Sequence, residues 1–399
     1  MSVPKLRFKK FDGEWAETSF QDLFIFKNGV NASKEQYGSG IKFINVLDII
    51  NNPNGITYDS IIGSVDITSK EIDKNLVKYG DVLFQRSSET REEVGQSNVY
   101  LGKEPVVFGG FVIRGSAQKE YDPIFMNGLL KTDSLRDQIT QLSGGSTRFN
   151  IGQDSLNKVT AYLPSKLEQT KIASFLSAVD EKISLLTKKH ELLSQYKQGM
   201  MQKLFSQQIR FKADDGSEFG EWETDLIRDV FTNKSKNYNP QIGKNLPCIE
   251  LEHLSQNTGK ILGTIESCEQ QSTKNLFEKN SVLFGKLRPY LRKFAKPQFK
   301  GVCSSEIWVL TGLKISNEYL FQYIQSEHFS ELTNIQSGSK MPRADWNVIS
   351  EAEIEYPCIA EQTKIANFLS AIHQKIEKVA QQVEETKQWK KGLLQQMFV

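Results

Sequence analysis

LPSKLEQTKIASFLSAVDEKI (Leu163 to Ile183) returns as YPCIAEQTKIANFLSAIHQKI (Tyr356 to Ile376), at a constant offset of 193 residues. The same offset then aligns Gly199 with Gly392 and Phe205 with Phe398. In the first copy, Ile172, Leu176, Val179, Ile183, Leu186, Leu193, Met200 and Leu204 fall on a 4-3 ladder that also passes through His190 and Lys197. This is the heptad seam of a long helix. The second copy repeats it through Ile365, Leu369, Ile372, Ile376, Val379, Val383, Leu393 and Met397, with Thr386 and Lys390 as polar interruptions. Pro164, Ser165 and Glu168 predict a capping box at the first start, whereas Cys358 stands at the corresponding cap of the second.

The chain therefore reads as two tandem units, each a domain followed by a helix. Boundaries follow: a first domain over 1–163, a helix over 164–206, a second domain over 207–356 and a second helix over 357–399. Each helix of about 40 residues would be ~60 Å long, while a domain of about 150 residues is only ~40 Å across. A domain of that size does not carry the chain back the length of a helix, so the pair is expected to be antiparallel, related by a pseudo-twofold axis. The domains repeat faintly: RFK at Arg7 and Arg210, GEW at Gly13 and Gly220, VLF at Val82 and Val282. A Gly-Ser loop precedes each helix, SGGSTRFN (Ser143 to Asn150) and SGSKMPRAD (Ser337 to Asp345). Runs such as IKFINVL, EPVVFGGFVIRG and VCSSEIWVL read as strands, giving a mixed α/β class.

Composition excludes several functions. With 38% hydrophobic and 25% charged residues the chain has a globular balance, and it carries no apolar run for a membrane span and no signal-peptide core. A cytoplasmic location is expected. Four cysteines (Cys248, Cys268, Cys303, Cys358), at spacings of 20, 35 and 55, contain no CxxC and suggest neither a zinc site nor a disulfide framework. No GxxxxGK[ST] loop is present. Asn52-Pro53 and Asn239-Pro240 lack the aromatic that follows in an amino-methylating motif, and there is no FxGxG loop. The histidines (His190, His253, His328, His373) are dispersed, and acidic pairs such as Glu71 and Asp73 beside Lys74 are common patterns. No catalytic and no metal-binding residue is assigned.

Binding signals are local, since the net charge is only +2. Lys279 to Ser305 carries seven cations and no acid in 27 residues, interleaved with Tyr290, Phe294 and Phe299. It is either a solvated basic face or a surface that neutralises phosphates and reaches base edges. Its candidates are Lys286, Arg288, Tyr290, Arg292 and Lys293. The first domain offers Arg86 and Arg91 among acids, and the Gly-Ser loops add Thr147 and Arg148, or Lys340 and Arg343, beside flexible glycines. The repeated polar residues Glu168, Gln169, Thr170 and Lys171, with Glu361, Gln362, Thr363 and Lys364, exceed what a seam requires. They either cap and solvate their helices or form two equivalent docking sites for one partner.

The Pro-(x)3-EQxKIAxFL signature at both helix starts, with the Gly-Ser loop upstream, resembles the specificity subunit of type I restriction-modification systems across the whole chain. GKLRPYLRK (Gly285 to Lys293) and GDVLFQR (Gly80 to Arg86) are similar to motifs in that family's target-recognition domains. Cys358-Ile359, and Gln85-Arg86 against Lys286 to Arg288, depart from a strict repeat. The resemblance implies a non-catalytic subunit in which the two domains read the halves of a bipartite double-stranded DNA target. It implies two adenine methyltransferase subunits held by the helices, and two restriction subunits joining them. S-adenosylmethionine, ATP and Mg would reside in those partners, none in this chain. The competing reading is a coiled-coil scaffold whose end domains bind proteins.

Overall fold

The computed structural model describes residues 3–335 and 341–399. The chain forms two compact units, Met1–Lys188 with Ala380–Val399, and Lys189–Val379. Both are mixed α/β and built on one plan. In the first, the strand Ala16–Ser19 pairs antiparallel with Thr160–Leu163, which runs straight into the first long helix, Lys166–Phe205. In the second, Glu223–Leu226 pairs with Glu353–Tyr356, which leads into the other long helix, Ile359–Met397.

Beyond that pair, each unit holds a four-stranded antiparallel sheet with equivalent strand order. The first orders Phe24–Asn28, Val112–Ala117, Val82–Gln85 and Ser97–Val99; the second orders Phe231–Thr232, Ile307–Gly312, Val282–Gly285 and Phe294–Ala295. The repeated VLF occupies an inner strand of each sheet. Val82, Leu83, Phe84 and their counterparts Val282, Leu283 and Phe284 are buried, as an unbroken apolar run in a sheet covered on both faces should be. A second sheet in each unit contains one parallel pairing, Phe43 with Val107 and Cys248 with Val302.

The two long helices run antiparallel where they meet within each unit. In the first unit, Ile172, Leu176 and Val179 near the start of one helix share a core with Leu393 and Met397 near the end of the other, and with Phe398 just beyond it. That core also takes Trp15, Phe20, Phe24 and Phe125. In the second, Met201 and Leu204 meet Ile365 and Leu369 around Phe231, Phe284, Tyr319 and Phe329. Each fully buried seam residue contributes roughly 1.5–3 kcal/mol. Toward mid-helix the seam loosens: Leu186, Leu193, Ile376 and Val383 are only half buried. Two polar seam positions find partners, Lys390 on Asp180 at 2.5 Å and Lys197 on Gln325 at 2.9 Å.

The helix starts differ from expectation in one respect. Ser165 Oγ accepts from the Glu168 amide at 3.4 Å, so half of the capping box forms. The Glu168 carboxylate does not return to the cap, because the Arg7 guanidinium takes both of its oxygens, at 2.7 and 2.8 Å. A bidentate charge-assisted pair outcompetes a single neutral amide.

Candidate nucleic-acid interface

The two candidate signals in each domain, the segment after VLF and the Gly-Ser loop, lie side by side. In the first unit the chain leaves the inner strand at Arg86, whose amide donates to Phe111 O at 2.8 Å and whose carbonyl accepts from Ile151 N at 2.9 Å. Ser87–Ser88 then pairs with Phe149–Asn150. Gly144 and Asn150 exchange both backbone hydrogen bonds, at 2.8 and 2.9 Å, closing the loop. Gly145 turns it at φ +126°, a conformation open to glycine, and Thr147 and Arg148 are exposed on it.

The second unit repeats the arrangement. Lys286 N donates to Glu306 O and Lys286 O accepts from Ala344 N, both at 2.9 Å, and Arg288 N donates to Pro342 O at 2.8 Å. The chain then makes a tight turn, Pro289–Leu291, flanked by Arg288 at φ +52° and Arg292 at φ +47°. Left-handed backbone at non-glycine residues costs on the order of 1–3 kcal/mol each. The turn buries Pro289 and leaves Arg288 and Tyr290 exposed.

The cations are not equally available. Arg86 is exposed, with Nη1 3.4 Å from Gly110 O. Arg148, Lys286 and Arg288 have no ion pair among the described residues. Arg91 is partly spent on the end of the helix Asp133–Gln141, donating to Thr140 O at 3.2 Å. Arg343 is paired with Glu306 at 3.0 Å. Arg292 and Lys293 turn inward: Arg292 donates to Gln325 O, and Lys293 Nζ to Leu251 O at 2.6 Å. Burial holds Arg292 below the usual guanidinium range, with Glu327 opposing that effect. Lys296 and Lys300 are neutralised by Glu318 at 3.2 Å and Glu278 at 2.6 Å. The basic run is thus less basic in space than in sequence, because acids outside it fold back onto it. Lys340 lies outside the described residues.

The repeated polar residues at the helix starts are also divided. Glu168 and Glu361 are 2% and 0% exposed; Glu361 binds Arg210 through two bonds of 3.2 and 2.7 Å and accepts from Trp222 Nε1 at 3.3 Å. Gln169 donates to Pro164 O at 3.0 Å and accepts from the Asp122 amide at 2.9 Å; Gln362 donates to Pro357 O at 2.8 Å and accepts from the Ser316 amide at 2.9 Å. Asp122 and Ser316 are N-caps of the equivalent helices Pro123–Leu129 and Asn317–Tyr323. These four residues therefore bind their own domains, and a partner meets no free carboxylate or amide there. Thr170, Lys171 and Thr363 are exposed and Lys364 half exposed, paired with Asp214 at 2.6 Å. Arg7 and Arg210, which hold the glutamates, were visible in sequence only as the faint RFK echo.

Among the described residues no three His, Cys, Asp or Glu side chains converge to hold a metal ion, and no helix is long and apolar enough to cross a membrane.

A family profile, the type I restriction modification DNA specificity domain, matches residues 12–195 and again 220–387. The chain is 24% identical over 354 residues to the type I restriction enzyme MjaVIII specificity subunit of Methanocaldococcus jannaschii, covering 83% of this chain and 80% of that protein. It is 25% identical over 281 residues to the EcoDI specificity subunit of Escherichia coli, covering 62% of each. Its fold is similar to the crystal structure of the S subunit from M. genitalium, with a TM-score of 0.58 at 17% identity, covering 100% of this chain and 99% of that one.

Proposed function

The chain belongs to the family defined by the type I restriction-modification DNA specificity domain, in two copies, and from that premise we propose that it selects a bipartite DNA target for a methyltransferase complex. The first recognition domain, 1–163, reads one half-site and the second, 207–356, reads the other. The helices 164–206 and 357–399 space them and seat two adenine methyltransferase subunits, to which two restriction subunits attach. The chain itself is non-catalytic. S-adenosylmethionine, ATP and Mg belong to the partners, and the assembly acts in the cytoplasm.

One observation carries this reading: in both units the segment after VLF is paired with the end of the Gly-Ser loop, so that Arg86 adjoins the segment of Thr147 and Arg148, and Lys286 and Arg288 adjoin that of Arg343. Exposed guanidinium groups on a hydrogen-bonded ridge suit bidentate recognition of guanine O6 and N7, while backbone amides and lysines suit phosphates.

Co-expression of the chain with its methyltransferase in a methylation-free host, followed by mapping of methyladenine at base resolution, tests the proposal. A single two-part motif with a fixed spacer is expected. Methylation without sequence preference, or no binding of duplex DNA by the complex at low salt, would favour a protein scaffold instead.

A further inference from the structure

Phe111 is 65% exposed, although Val107, Phe108, Val112 and Ile113 around it are fully buried. A single exposed apolar residue is ordinary; its mounting is what distinguishes this one. The turn that carries it is held on every side. Val112 N donates to Gly109 O at 2.9 Å, Gly110 N to Val30 O at 2.8 Å, Gly109 N to Ile44 O at 3.0 Å, and Arg86 N to the carbonyl of Phe111 itself at 2.8 Å. At Gly110 a Cβ would lie 1.8 Å from Asn31 Oδ1, so any side chain there would have to push the Asn31 side chain aside. Arg86 Nη1 reaches Gly110 O. A phenyl group and a guanidinium thus stand on adjoining, hydrogen-bonded segments of the first unit.

The second unit gives the contrast. The carbonyl that receives the Lys286 amide belongs to Glu306, the positional counterpart of Phe111, and the Glu306 side chain is tied to Arg343. The counterpart of Arg343 in the first unit is Asn150, which cannot form such a pair. The same scaffold therefore presents an unpaired apolar group in one unit and a neutralised carboxylate in the other.

We infer that Phe111 is a specificity-determining residue of the first half-site, seating the C5-methyl group of a thymine in the major groove beside the base read by Arg86. This rests on the DNA-recognition reading above. Apolar contact with that methyl is the one feature by which a side chain without hydrogen-bonding groups reads a base edge there.

The test uses the full chain in complex with its methyltransferase and duplexes of the mapped target. Each thymine of the first half-site is replaced in turn by deoxyuridine, which lacks only the methyl. At one position the wild-type complex should bind about fourfold more weakly, the equivalent of one buried methyl at ~0.8 kcal/mol and ~1.4 kcal/mol per tenfold. Phe111→Ala should weaken binding to the thymine duplex and abolish the thymine–deoxyuridine difference, while Phe111→Leu retains part of it. Wild-type affinity indifferent to every such replacement overturns the inference, and so does a half-site without thymine. A Phe111→Ala complex that is weaker on all sequences but still sensitive to the methyl also overturns it, as an inserted wedge would. A complex that binds no duplex at all fails the underlying reading instead, an outcome visible before any variant is made.

Discussion

Arg7 and Glu168 lie 161 residues apart and are joined by two parallel hydrogen bonds of 2.7 and 2.8 Å, the carboxylate almost wholly buried. Arg210 and Glu361 repeat the bond pair. Each arginine comes from the segment entering a domain and each glutamate from the first turn of the helix leaving it. Removing one partner strands a buried carboxylate. Arg210→Ala should cost about 2–3 kcal/mol, moderated by the partial exposure of the guanidinium. A double-mutant cycle with Glu361→Gln, measured by denaturant unfolding, should give a coupling of at least ~1 kcal/mol; additive single effects would remove the joint from the stability account.

For the reading surface, Arg288→Ala should weaken binding by about 1–3 kcal/mol on every target that keeps the second half-site, whatever the first. Assembly with the methyltransferase should be unchanged. Arg292→Ala behaves differently, because its guanidinium faces Gln325 rather than solvent: it should lower stability before it relaxes sequence preference. Competition binding and sizing chromatography separate the two, and a variant at Arg288 that fails to assemble would contradict its role.

Of the eight repeated polar residues at the helix starts, Thr170, Lys171, Thr363 and Lys364 remain presentable to a partner. Joint reversal, Lys171→Glu with Lys364→Glu, should reduce the mass of the complex seen by light scattering. The isolated chain should lose little stability, since Lys171 is exposed with its ammonium 5.5 Å from the Phe8 ring, and Lys364 pairs with the exposed Asp214 and lies 6.0 Å from the Phe219 ring. An unchanged complex would assign these lysines to solvation alone.

A pH dependence is expected from His373. Burial, then the charge of Lys197 and that of Lys260, holds it below its ordinary value of 6.5, with Glu377 at 3.8 Å opposing. The neutral ring is favoured in the folded state, so the stability it contributes is present above pH 6.5. It is lost as pH falls through the lowered folded value, by ~1.4 kcal/mol for each tenfold difference in proton affinity between the unfolded and folded chain. The repeat supplies the control: Asp180 holds Lys390 where His373 faces Lys197, whose own value is pushed down to about 8 by burial and Arg292. His373→Asp should abolish this acid-induced fall in the thermal unfolding midpoint between pH 6.5 and 5. If the wild type shows no such fall, His373 is not titrating in this environment.

The long helices were legible because a heptad seam is written in the chain itself; Ile172, Leu176, Ile365 and Leu369 are buried where the ladder puts them. The faint echoes RFK, GEW and VLF marked the domains as repeated, and the two VLF runs occupy equivalent inner strands. What the sequence hid was pairing at a distance. Glu168 and Gln169 looked like surface residues because nothing local shows that Arg7 and the Asp122 amide will arrive. Lys296 and Lys300 looked free because Glu318 and Glu278 lie outside the basic run. Phe111 looked like one more strand residue, since the Gly109-Gly110 turn that exposes it is indistinguishable in sequence from a glycine-containing strand.

The first unit draws on two stretches of chain separated by the whole of the second. Leu393, Met397 and Phe398 fill its core, and Leu6 N donates to Gln396 O at 2.8 Å. During synthesis the order of folding should therefore run against the order of sequence. The second unit, continuous from Lys189 to Val379, is complete as soon as it leaves the ribosome, while the first waits with an open apolar face for residues more than 200 positions downstream of its own sheet. Until they arrive, that face is the part of the nascent chain most in need of a chaperone.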